Sequence, residues 1–148
     1  MSDSEKKSDT PKFELVGQKP ALLEPGDYVC GFVNYQTKYM FGRSPKMLML
    51  FTISLGEQVI PIYKYYNLDS IIGPPGFDGV FSIGRRSNFY RDYARLFGEF
   101  DPDFDPMKVF EDKKFLCRVG TVNKDPEGEL LANETLYSKI TRVKKVIK

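Results

Sequence analysis

One helical stretch set among five strand-like runs is the feature that most limits how this chain folds. Tyr28–Val33 and Val59–Tyr66 read as strands, Lys46–Ile53 as a largely buried strand, and Phe115–Val122 as a strand from its alternation. A fifth run begins near Tyr137, and Ile140, Val143 and Val146 carry an apolar pattern toward the end. Those residues recur every third position, a spacing that also suits a helix. β-Branching at Thr141, Val143, Val146 and Ile147 favours the strand. Between the third and fourth runs, Ser87 reads as an N-cap, Asn88–Phe97 as a helix and Gly98 as its stop. Phe89, Tyr93, Leu96 and Phe97 share one helical face, leaving Arg91, Asp92 and Arg95 toward water.

The order matches a mainly β fold, a five-stranded OB-like barrel with one helix between strands 3 and 4. A different small β-barrel with one packed helix is the alternative. Pro61 has no N–H to donate, which assigns its strand to an edge or a bulge. Ser70–Gly84 holds four Gly and two Pro and reads as a long structured loop. Asp101–Pro106 reads as an acidic linker and Asn123–Gly128 as a turn.

A chain of 148 residues suits one domain with its own apolar core. Residues 1–20 are polar and are expected to be a flexible segment, with 21–148 as the OB-like domain. Neither a leader-like stretch nor a membrane-length apolar run is present in this sequence, so the expected setting is cytoplasmic, without membrane contact. Histidine is absent, which removes the commonest near-neutral acid–base group and metal ligand. Cys30 and Cys117 lack metal-ligand spacing and read as buried thiols, with a disulfide between them left open.

A formal charge of +2 is too small to identify a polyanion-binding protein, so the positions of the charges matter. Asn34–Lys46, read as the turn-like loop joining the first two strands, combines Tyr35, Tyr39 and Phe41 with Lys38, Arg43 and Lys46. Rings that stack on bases, among cations that meet phosphates, suit a single-stranded nucleic acid. An ordinary hairpin with inward rings is the competing reading. Tyr63 and Tyr65 share one strand face, with Ile62, Lys64 and Tyr66 on the other. That pair extends the stacking surface, whereas Lys64 reads more readily as a plain surface residue. Arg85, Arg86, Arg91 and Arg95 add cations around the helix. Arg142, Lys144 and Lys145 belong to a C-terminal run, Ser138–Lys148, with five basic residues and no acid. Glu99–Asp112 holds six acids and one lysine, which suits a protein partner, a screen against indiscriminate binding, or a solvated loop.

In this arrangement the chain resembles small OB-fold single-stranded DNA-binding proteins of the phage or mobile-element type. Lys38–Lys46, Tyr63–Tyr66 and the change from strand to helix around Ser87–Phe97 carry the resemblance. It implies protection or organisation of exposed DNA during replication or recombination. RNA is the alternative ligand, and oligomerisation is left open. Many bacterial members end in an acidic partner-binding tail, whereas this chain ends in a basic run.

Catalytic readings fare worse. Gly42–Lys46 lacks the glycine pattern of a P-loop. Asp101, Asp103 and Asp105 start like a calcium loop but lack its later glycine and bidentate glutamate, and Pro102 and Pro106 interrupt them. The expectation is a non-catalytic binding module without a cofactor. The competing class is a protein-interaction or structural accessory protein on an OB-like barrel, since fold alone does not specify function.

Overall fold

The computed structural model describes residues 22–40, 42–100, 105–122 and 137–147. The polar 1–20 segment, the ring of Phe41, Asp101, Asp103 and the turn at 123–128 lie outside the described residues. The chain forms β1 (Gly26–Met40), β2 (Ser44–Leu55), β3 (Gln58–Asn67), then the short β4 (Ser70–Ile72), β5 (Gly76–Phe77) and β6 (Val80–Ser82). Helix α1 (Asn88–Phe97) and a 3₁₀ turn (Lys108–Phe110) precede β7 (Lys114–Val122) and β8 (Tyr137–Ile147). Among the described residues the architecture is mainly β with one α-helix. The main sheet is antiparallel in the order β3-β2-β1-β7-β8, with β5 pairing β1 outside that path, while β4 and β6 pair separately.

The helix has the expected bounds. Ser87 Oγ accepts from Tyr90 N at 3.0 Å, and Gly98, with φ of 95°, donates back to Ala94 O. Phe89 and Tyr93 are buried. Phe89, Phe97 and Phe110 meet Phe32, Phe51 and Phe115 from the strands in one aromatic core, largely through edge-to-face contacts. Burial of each of the fully enclosed rings, Phe51, Phe89, Phe110 and Phe115, stabilises the fold by roughly 1.5–3 kcal/mol relative to exposure. Much of the chain's aromatic content is thus committed to packing.

Three sequence readings change. Asn34–Lys46 is not a loop: β1 continues to Met40, and β2 resumes at Ser44 in register, with Tyr35 opposite Met49 and Lys38 opposite Lys46. Alternation explains this, because Tyr35 and Thr37 bury on one face while Lys38 is exposed on the other. Ser70–Gly84 contains β4, β5 and β6 instead of running as a continuous loop. Within Glu99–Asp112, Met107 and Phe110 are core residues, so the part after Pro106 is packed and is not a solvated loop, while 101–104 of the expected linker lie outside the described residues.

β8 is a strand, and its three-residue period has a structural cause. Its register with β7 slips once between Cys117 and Leu116 and again between Arg118 and Val119. Each slip adds a residue to β8, at Lys144 and Thr141, so Ile140, Val143 and Val146 all return to the core face.

Among the described residues the main sheet does not close into a barrel. β3 and β8 end the order and approach each other without ladder pairing. Side chains occupy the seam instead. Arg95 donates to Lys144 O at 2.6 Å and to Asp92 Oδ1 at 2.7 Å, while Tyr66 donates to Asp92 Oδ2 at 2.5 Å. Lys64 Nζ donates to Tyr65 O at 3.2 Å and lies 4.0 Å from the Tyr66 ring centroid. An inward cation together with Pro61 protects the β3 edge against further strand addition. No helix among the described residues is long and apolar enough to cross a membrane.

Candidate nucleic-acid interface

Register across β1, β2 and β3 sorts their side chains into two faces. Tyr35–Met49–Lys64 and Thr37–Met47–Tyr66 point toward the core. Asn34–Leu50–Tyr63, Gln36–Leu48–Tyr65 and Lys38–Lys46–Asn67 lie in parallel rows on the outer face. There Tyr63 and Tyr65 stand with ring centroids 6.0 Å apart. Leu48 and Leu50 are buried beside them, apart from the main core cluster. The row Lys38–Lys46–Asn67 runs alongside the tyrosines, and Lys46 Nζ donates to Asn67 Oδ1. Asn67 also lines a cleft of about 610 Å³ with Arg85, Arg86 and Ser87 at the start of α1. Basic groups therefore follow the aromatic patch along one side. Asp69 lies in the same cleft and gives it mixed charge.

The tyrosines remain neutral at ordinary pH. Burial raises the Tyr65 hydroxyl to about 12, with contributions from Tyr137 and Tyr63. Burial likewise raises Tyr63 and Tyr137. Tyr137 stands on β8, the end strand that approaches β3. A neutral phenol adds no repulsion to a phosphate chain.

Sequence-selected residues fall into separate groups. Lys38, Lys46, Tyr63 and Tyr65 come together on the outer face, with Arg43 exposed at the adjoining hairpin turn. Tyr35 does not join them. Its ring is buried, its hydroxyl donates to Gly79 O at 3.0 Å, and burial followed by Asp105 and Asp78 pushes that hydroxyl up to about 12. Tyr39 is exposed, but it alternates onto the face opposite Lys38. Lys64 also faces inward, where burial pulls its amine down to about 8 and Asp92 partly opposes the shift. It is not the plain surface lysine expected from sequence.

Arg95 is committed to the seam, and Lys144 donates to Asp27 Oδ2 at 2.8 Å. The hydrogen bond from Lys144 lowers the Asp27 pKa, with Arg118 adding a further favourable charge. Arg91 is exposed on α1, and Arg142 and Lys145 are exposed on β8. The described geometry does not gather those three with the tyrosine patch. Cys30 and Cys117 are free and fully buried, and interaction with the Cys30 thiol, together with burial, holds the Cys117 thiol protonated.

Sequence reasoning missed two rings. Tyr137 lies on β8, which approaches the tyrosine-bearing β3, while Phe77 pairs with Gln36 and therefore projects on the same face as Leu48 and Tyr65. The alternation of β8 gave Tyr137 a weak signal. Phe77 lay in a Gly- and Pro-rich stretch that reads as loop. No protein-family model, curated protein or solved structure matches the chain.

Proposed function

We propose that the protein binds single-stranded nucleic acid, most directly DNA, on the outer face of β1, β2 and β3, without catalysing a reaction. The observation that carries this reading is the pair Tyr63 and Tyr65 on β3, for base stacking, beside the cross-strand row of Lys38 and Lys46, for phosphates. A duplex hides its base faces, whereas a single strand offers them together with its backbone charge. Each stacked base contributes roughly 1–3 kcal/mol, and the lysines add salt-sensitive attraction.

The sheet order, with β3 and β8 approaching at its ends, supports treating the five long strands as an OB-like barrel left open at one seam. Protection or organisation of exposed strands during replication or recombination follows from this activity.

Fluorescence anisotropy with a labelled oligothymidylate, its duplex and the matching RNA across salt concentrations tests the proposal. Tighter binding to the single strand, declining with salt, is expected. Absence of single-strand binding even at low salt overturns the proposal, and stronger RNA binding reassigns the ligand.

A further inference from the structure

Phe77 is 67% exposed, the highest value among the exposed large hydrophobics of the described residues. An exposed phenylalanine on a mobile tip has little meaning, but this one stands on a tightly bonded turn. Thr37, itself buried, accepts from Gly76 N at 3.2 Å and donates to Gly76 O at 3.4 Å. Tyr35 donates to Gly79 O, Asp78 N donates to Tyr35 O at 3.3 Å, and Gly79 N donates to Gly76 O at 3.2 Å. Asp78 is in the left-handed region, with φ of 57°, an uncommon conformation for a residue other than glycine. A Cβ on Gly79 would stand 2.1 Å from Thr37 Oγ1. These contacts restrain the backbone turn that carries the ring.

Ladder pairing places Phe77 beside Gln36, in the row that continues through Leu48 to Tyr65. Three strand spacings of about 4.8 Å put it roughly 14 Å from Tyr65 across the sheet. The Lys38–Lys46 row runs beside this line. Resting on the single-strand reading above, we propose that Phe77 is a second base-stacking platform, held in place by Tyr35 and Thr37. The same strand then meets rings at both ends of the row while its phosphates follow the lysines. This assigns Tyr35 a positioning role under the platform.

The chain contains no tryptophan, so Phe77→Trp creates a unique fluorophore at the proposed contact. Titration of that variant with oligothymidylate is expected to quench and shift its emission, whereas an abasic oligonucleotide of equal charge leaves the emission near its starting value. Phe77→Ala is expected to weaken binding of the base-bearing strand by about 5- to 150-fold. It should affect the abasic strand much less. If the wild type binds the oligonucleotide but neither the indole emission of Phe77→Trp nor the affinity of Phe77→Ala changes, this proposal is overturned and the wider single-strand reading stands. If the wild type binds no single strand, both are overturned. An emission shift that depends only on protein concentration identifies a second copy as the occupant and also overturns the proposal.

Discussion

Tyr35 and Tyr65 carry the same ring and receive opposite assignments from strand alternation. Tyr65 faces outward beside Tyr63, whereas Tyr35 is buried and bonds to Gly79 O. Tyr65→Ala should therefore weaken single-strand binding by roughly 1–3 kcal/mol in an anisotropy titration. Tyr35→Phe should instead cost about 0.5–1.5 kcal/mol of folding stability in urea denaturation, with a smaller effect on affinity. Lys64 makes a separate prediction through pH. Its folded amine loses a proton near 8, while the unfolded side chain retains one to about 10.5. Between those values the unfolded state binds more protons, so this residue makes stability rise with pH. Wild type should gain roughly 1–3 kcal/mol relative to Lys64→Met between pH 7 and pH 10 in paired denaturation curves. A constant difference would contradict the buried amine.

The helix was legible because its signals are local: a serine cap, one apolar face and a glycine stop. Strand locations were also legible from alternation and β-branching, but their solvent faces were not. β2 buries Met47, Leu48, Met49, Leu50 and Phe51 in succession, so hydropathy cannot distinguish its core side from its outer side. The aromatic-basic stretch resembled a loop because its composition hid the inward alternation of Tyr35 and Thr37. The spacing in β8 imitated a helix because two bulges lengthen a strand period of two to three. The position of Phe77 was inaccessible for another reason: hydrogen bonds from residues distant in sequence create its turn. Gly79→Ala should destabilise the protein by about 1–3 kcal/mol through crowding at Thr37 and Gly76, as measured by its urea midpoint.

At the scale of the whole molecule, net charge conceals a division of labour among cations. Arg95 and Lys144 hold local structure, while Lys38 and Lys46 share a row with access to the tyrosine face. Replacing Lys38 by Ala should reduce the magnitude of the log-affinity against log-salt slope by about 0.7, the contribution of one single-strand phosphate contact. Lys144→Ala should leave that slope near wild type, because its ammonium serves Asp27. The most direct measurement is photocrosslinking of the protein to an oligonucleotide bearing 5-iodouracil, followed by mass-spectrometric mapping. Crosslinks concentrated at Tyr63 and Tyr65, and lost when the oligonucleotide is hybridised, are the expected result. Crosslinks confined to α1 or to the Arg142–Lys145 part of β8, or unchanged by hybridisation, would contradict a single-strand interface on the outer face of β1, β2 and β3.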